Sequence, residues 1–180
     1  MLRNKNNLSK TGTVYWITGL SGSGKTTLSK KLSEYLLKKR KKVIKLDGDE
    51  LRAVLDKKDS HTREERLKIA MTYVRLVKML SDQGYDVVIA TISLFQEVHN
   101  WNKLKIKNLF NIFLDVPIEE LKKRDPKNIY KNFSKKKLIA GLGFKVDFPI
   151  KPNIHIIWKK GMNKKILFEN VLKQLKFRNK

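Results

Sequence analysis

The sequence predicts an α/β fold of the doubly wound kind, a parallel five-stranded sheet with helices on both faces, and three observations predict it. Short β-branched and aromatic runs alternate with longer stretches of helical periodicity from one end of the chain to the other. One run, Asp86-Val87-Val88-Ile89-Ala90-Thr91-Ile92, is nearly continuously apolar, as a parallel strand covered on both faces must be. The first strand pattern also passes through Gly19-Leu20-Ser21-Gly22-Ser23-Gly24-Lys25-Thr26 into a helical pattern, the strand–loop–helix order of a P-loop NTPase-type fold.

Thr13 to Thr18 is β-branched and aromatic and reads as a buried first strand. In the loop that follows, glycines let the backbone curl so that its N–H groups point inward at phosphate oxygens. The helix start adds a favourable field for anions. Gly19, Leu20, Ser21, Gly22, Ser23, Gly24, Lys25, Thr26 and Thr27 are therefore the candidate ATP-binding residues, with Lys25 reaching the β- and γ-phosphates and the Thr26 hydroxyl holding Mg²⁺. Leu28, Leu32, Leu36 and Leu37 mark the inner face of the helix. Val43 to Leu46 is a second strand that runs into Asp47-Gly48-Asp49-Glu50-Leu51-Arg52. Acidic residues on the sheet edge where α/β folds bind ligands suit metal coordination or general-base duty. The same aspartates could instead cap the helix that carries Leu51, Val54 and Leu55. Two aspartates and an arginine packed together favour the functional reading.

Asp56 to Thr62 reads as a polar loop, and Arg63 to Asp82 as a long amphipathic helix with a core stripe of Leu67, Ala70, Met71, Val74, Val77 and Leu80, ended by Gly84. Asp86 to Ile92 is the third strand, and Ser93 follows it on the ligand edge. Gln96 to Leu109 reads as helical, Asn111 to Val116 as the fourth strand, and Pro117 as the opening of a helix, where a missing N–H costs nothing. Arg124 to Tyr130 is a loop with charges at both ends. From Lys131 to Pro152 the pattern is weak and interrupted by Gly141, Gly143, Pro149 and Pro152, which suggests a mobile lid. Ile154 to Trp158 is the fifth strand and Ile166 to Phe177 a closing helix. Residues 1–12 read as a basic leader and residues 13–180 as one domain.

Composition narrows the partners. The 41 lysines and arginines outnumber the 17 acidic residues, giving a formal charge of +24 that attracts phosphorylated small molecules and also nucleic acid. The lysines are scattered over helix faces, as a compositional bias produces, and no aromatic-rich basic patch accompanies them, so nucleic acid is not the expected partner. An enzyme acting on an RNA end or a tRNA, and a catalytically silent nucleotide-binding subunit, stand as the other classes; Lys25, Thr26, Asp47 and Asp49 argue against the second. No apolar run is long enough to span a membrane, and no cysteine is present, so disulfides and cysteine metal sites are excluded and a cytoplasmic location is expected. His61, His99 and His155 show no metal-ligand spacing.

On five segments the chain resembles the adenylylsulfate (APS) kinase family: Gly-Leu-Ser-Gly-Ser-Gly-Lys-Thr-Thr at 19–27, Leu-Asp-Gly-Asp-x-x-Arg at 46–52, Ile92-Ser93, Leu-Asp-Val-Pro at 114–117, and Arg-Asp-Pro-Lys-x-x-Tyr at 124–130. The resemblance implies transfer of the ATP γ-phosphate to the ribose 3′-hydroxyl of adenylylsulfate, with ATP and Mg²⁺ as cofactors. It implies that Asp49 is the base toward the acceptor hydroxyl, assisted by Lys25, and that Asp47 supports metal and loop with Thr26. Arg52 and Arg66 would hold acceptor phosphate, with Asp47, Ile92, Ser93 and Leu94 beside them. Ser93 matches the serine described in the family as a phosphoserine intermediate; direct in-line transfer would leave it an acceptor contact. Arg124 and Lys127 would border the ATP base and phosphates. The family also tends to form homodimers.

The chain departs from the family pattern on the acceptor side. Ile69 stands where the family has Asn, Met71 and Thr72 where it has paired arginines, Leu94-Phe95-Gln96-Glu97 where it has Pro, an aromatic and basic residues, and Ala140-Gly141-Leu142-Gly143 where it has Gly-Phe-Thr-Gly, whose Phe stacks on adenine, with Phe144 as the alternative ring. Some kinases resembling this family phosphorylate the ribose 3′-hydroxyl of cytidine diphosphoramidate in capsule or surface-polysaccharide pathways. A smaller base would need less stacking area. Adenylylsulfate is the family default, and the cytidine compound the alternative acceptor.

Overall fold

The computed structural model describes residues 11–39, 41–56, 62–125, 128–132 and 139–178. Five strands form one sheet: β1 (Val14–Thr18), β2 (Val43–Asp47), β3 (Asp86–Ala90), β4 (Leu109–Asp115) and β7 (Ile154–Ile157). All pairings are parallel and the spatial order is β2-β3-β1-β4-β7, so β1 lies at the centre with β3 and β4 on its two edges. Two short pieces, β5 (Ile139–Ala140) and β6 (Gly143–Phe144), pair with each other outside the sheet. The helices are α1 (Lys25–Lys38), α2 (Gly48–Val54), α3 (Arg63–Asp82), α4 (Gln96–Lys105), α5 (Ile118–Arg124) and α6 (Lys164–Arg178). Among the described residues no helix is long and apolar enough to cross a membrane.

Strand periodicity divides the core into two layers. Val14 and Trp16 of β1 point to one face, where they pack with Ile69, Tyr73, Val74 and Val77 of α3 and Val98 of α4. Tyr15 and Ile17 point to the other, against Leu28, Leu32 and Leu36 of α1 and Val171 and Leu175 of α6. A third cluster, Leu20, Leu94, Phe113, Leu121, Tyr130 and Ile139, lies beyond the ends of the central strands and carries the strip with β5 under α5. Full burial of each large aliphatic side chain contributes about 1.5–3 kcal/mol. Trp16, Leu32, Ile89 and Ile112 therefore hold the sheet between its helices, all of them fully buried.

The predicted class and all five strands are present. Details differ from the sequence reading. The helix expected to reach Leu109 stops at Lys105, because Leu109 pairs with Val14 and the Val14 amide donates to the Asn108 carbonyl (2.8 Å). β3 leaves the sheet after Ala90 and turns at Ser93, whose φ is +25°. The inner stripe of α3 is rotated: Ile69, Tyr73 and Ser81 are buried, while Leu67, Met71 and Leu80 are only partly so. Residues 11 and 12, the described end of the leader, are anchored. The Gly12 amide donates to the Ser81 carbonyl (2.8 Å), and the Asn108 side chain donates to the Thr11 carbonyl (2.9 Å). The rest of the leader, and residues 133–138 of the lid-like stretch, lie outside the described residues.

Asp86 closes the base of the sheet. It is 5% exposed, its Oδ1 accepts from the Thr13 amide (2.8 Å), and Lys41 approaches from solvent (3.7 Å). Gly12 sits against the backbone before it, so that a Cβ there would overlap the Tyr85 carbonyl. Gly12→Ala is expected to cost at least about 3 kcal/mol, since neither partner can yield without breaking the β1–β3 junction; urea titration against the wild type measures it.

Candidate active site

β1 ends on the ligand edge of the sheet, and the chain turns there without room for side chains. At Gly19 a Cβ would lie 2.7 Å from the Leu114 carbonyl oxygen and 2.8 Å from Ser23 Oγ. Gly24 adopts φ +99° at the N-cap of α1, a conformation that favours glycine. Lys25 folds back over the loop, its Nζ donating to the Leu20 carbonyl (2.8 Å). Leu20 itself is an anchor, buried in the third cluster with its side chain against Gly141. Ser21, Gly22, Ser23, Gly24, Lys25, Thr26 and Thr27 line a cleft of about 1470 Å³ that continues over the ends of β2, β3 and β4.

Asp47 takes the capping role and also reaches the phosphate loop. It is the N-cap of α2, and its Oδ1 accepts from the Asp49 amide (2.9 Å). Its Oδ2 accepts from the Thr26 hydroxyl (2.9 Å). One 8%-exposed carboxylate thus ties the phosphate loop to the turn that carries Asp49. A hydroxyl and a carboxylate oxygen are the hard donors that Mg²⁺ takes from protein when phosphates complete its shell, so the pair fits such a cation.

Opposite the loop, Asp49 pairs with Arg52 through an ion pair with Arg52 Nη2. Arg66 comes from α3 to the same end of the cleft. Burial lowers the Arg66 pKa from its ordinary value, and the Arg52 charge lowers it further. Two guanidinium groups that disfavour each other form a site that a polyanion relieves. Ile92, Ser93 and Leu94 form the floor between the halves. Ser93 Oγ is 2.7 Å from Thr91 Oγ1, and Ser93 is 6% exposed. The Leu94 side chain is in the core, and its carbonyl accepts from the Asp147 amide (2.9 Å). At the far end Arg124 lies over the Trp158 ring (5.5 Å to the centroid) and donates from Nε to Glu120 (2.8 Å). Lys127 lies outside the described residues.

A model of the adenylylsulphate kinase family matches residues 11–157. The chain belongs to this family. A Campylobacter jejuni cytidine diphosphoramidate kinase is 37% identical over 144 residues, covering 80% of this chain and 84% of that protein. A Pseudomonas aeruginosa adenylyl-sulfate kinase is 33% identical over 147 residues, covering 79% and 75%. Of solved structures, APE1195 superposes with a TM-score of 0.80 at 27% identity, covering 93% of this chain and 97% of that one. The Mycobacterium tuberculosis APS kinase CysC, in complex with AMPPNP and APS, superposes with a TM-score of 0.79 at 24% identity, covering 92% and 98%, and shows the shared fold. Like its family, the chain is a nucleotide-binding kinase that transfers phosphate to a hydroxyl group.

The sequence assigned no role to several contributors to this kinase site, although Asp125 and Tyr130 fall in the 124–130 segment. Tyr130 donates from its hydroxyl to the Ser21 carbonyl (2.8 Å), and burial pushes its pKa up to about 12, so it stays a donor. Asp125 shapes that loop by accepting from the Tyr130 (3.1 Å) and Lys131 (2.9 Å) amides. Asp147 clasps the strip beside the cleft: its Oδ2 accepts from Arg63 (2.9 Å) and the Gln96 amide (3.2 Å), and its carbonyl lies 2.9 Å from His99 Nε2. The helical spacing of α3 signalled a core stripe, yet Arg66, Ile69 and Tyr73 of that helix also line the cleft.

Thr26→Ala removes one side of the Thr26–Asp47 bond and is expected to raise the Mg²⁺ needed for half-maximal activity about 10–100-fold, read by titrating the cation at saturating ATP. The clasp should also weaken in acid. Burial lowers the His99 pKa from 6.5, outweighing the Asp147 carbonyl and nearby carboxylates. Burial alone would raise Asp147, but the Gln96 amide and Arg63 hold it below 3.8. Both folded pKa values lie below the unfolded ones, so this stability is complete above pH 6.5 and is lost as pH falls, at His99 first and then at Asp147. The melting temperature should drop from pH 7 to pH 5, and His99→Asn should flatten that slope.

Proposed function

We propose that the protein transfers the γ-phosphoryl group of ATP to the ribose 3′-hydroxyl of a nucleotide, and that cytidine diphosphoramidate is its acceptor. The observation that carries the reading is the Thr26–Asp47–Asp49 chain of contacts, which joins the phosphate loop to the residue whose carboxylate pairs with Arg52. The glycine loop and Lys25 would hold the triphosphate, while Trp158 and Arg124 bound the far end of the cleft, where the base would lie. Mg²⁺ bound between Thr26 and Asp47 would neutralise charge on the phosphates. Arg52 and Arg66 would bind the acceptor's diphosphate-type group. Asp49 would then accept the 3′-hydroxyl proton as the oxygen bonds to the γ-phosphorus, and the bond to the β–γ bridging oxygen breaks to release ADP.

The choice of acceptor is supported by the 37% identity to the C. jejuni relative and by the apolar groups on the acceptor side. Ile69 occupies the α3 position between Arg66 and Tyr73, and the neighbouring strip contributes Ile139, Ala140 and Val146. None of these offers a stacking ring or a hydrogen-bond donor from its side chain. Adenylylsulfate is the second reading, favoured by the family match and the P. aeruginosa relative.

Each acceptor is offered separately with ATP and Mg²⁺, and products are identified by mass. Formation of the 3′-phosphorylated cytidine compound with at least about 10-fold higher kcat/KM than for adenylylsulfate is expected, a discrimination of about 1.4 kcal/mol. Preference for adenylylsulfate overturns the acceptor; turnover of neither overturns the reaction. Asp49→Asn should lower kcat about 10²–10⁴-fold with ATP affinity retained.

A further inference from the structure

α2 carries Asp49 and Arg52, yet little in the helix itself keeps it in place. It is seven residues long, too short to be stable alone, and Ala53, Val54 and Leu55 at its end are exposed. Its hold on the sheet lies at its first turn. Asp47 caps it, Leu51 packs against the α3 face, and Gly48 presses on Thr91, where a Cβ would come within 3.1 Å of Thr91 Oγ1. A further tie comes from α3. Tyr73, 2% exposed, donates from its hydroxyl to the Gly48 carbonyl (3.1 Å), between the two aspartates. The Arg52 charge lies near enough to lower the pKa of the same hydroxyl, and Tyr73 lines the cleft.

We propose that Tyr73 is a positioning residue for phosphoryl transfer, which fixes the Asp47–Gly48–Asp49 turn and orients Arg52 toward the acceptor through one buried hydroxyl. This rests on the proposed reaction but adds a part that the loop and aspartate motifs do not contain. The geometry makes the hydroxyl, rather than the ring, the working group. The ring packs with Ile69, Val74 and Val77, and a phenylalanine would pack equally there. The hydroxyl bonds the centre of the turn, one helical turn before Arg52, so one group positions both the base and the arginine. A buried tyrosine hydroxyl needs such partners. Burial raises its pKa, partly offset by Arg52, so it donates across the working pH range.

Tyr73→Phe tests this. Steady-state kinetics should show kcat/KM for the acceptor down about 5- to 10-fold, the effect of one neutral hydrogen bond, with KM for ATP unchanged. Hydrogen exchange, measured without acceptor, should show faster exchange of the residue 48–54 amides, with α1 and β1 amides unchanged as a control on folding. The Arg52→Lys and Tyr73→Phe effects should be non-additive in the double variant. Unchanged exchange over residues 48–54 overturns the anchoring. Faster exchange without an acceptor-side kinetic loss overturns the positioning role, as does an equal loss in ATP and acceptor terms. If the wild type phosphorylates neither acceptor, the proposed reaction fails, while the exchange comparison still decides whether Tyr73 holds the turn.

Discussion

The structure depends on β1 being paired along both edges and buried on both faces. Every residue from Val14 to Thr18 is buried, with β3 on one side and β4 on the other. A strand so confined can release the chain only at its C-terminal end, beyond which the helices of both layers leave a crevice. Gly19 is tight against β4 there, so the loop must curl within a fixed space before α1 begins. The phosphate loop is thus placed by the sheet's packing as much as by its own glycines. The Thr26–Asp47 bond then reaches from the start of α1 to the end of β2, across the intervening β3.

The two halves of the cleft are built differently. The loop half is continuous with the core: the start of α1 leads directly into Leu28 and Leu32 against the sheet. The other half is assembled from α2, the Ser93 turn and the strip ending at Asp147. Each piece is held by polar ties to something rigid. Tyr73 and Asp47 hold α2, Thr91 meets Ser93, and Arg63, Gln96 and His99 hold Asp147. Segments tied in this way open at lower cost than the core, which suits a part of the site that must admit and release an acceptor.

Electrostatics follows the same division. Most of the +24 charge lies on exposed lysines, where solvent screens it and single contacts contribute little. The charges that matter are the partly buried ones. Arg66 is half-buried beside Arg52, and Asp49 pairs with Arg52. An anion placed beside the two guanidinium groups would relieve their mutual repulsion.

The sequence by itself determined the fold class, the five strands, the phosphate loop and the Asp47–Arg52 segment. These are local in the chain: period-two and period-3.6 patterns, and glycines whose spacing is dictated by one turn. It also named Arg66, Ser93 and Arg124 through family resemblance. Only the tertiary structure decided the strand order, the end of the fourth helix at Lys105, and the ties made by Tyr73, Tyr130 and Asp147. Tyr73 and Gly48 are 25 residues apart, and Tyr130 and Ser21 are 109 apart. No local pattern distinguishes a tyrosine that packs in a core from one whose hydroxyl also holds a catalytic turn. That difference arises when a helix and a strand end are brought within hydrogen-bond reach, and the packing of the whole sheet sets that distance.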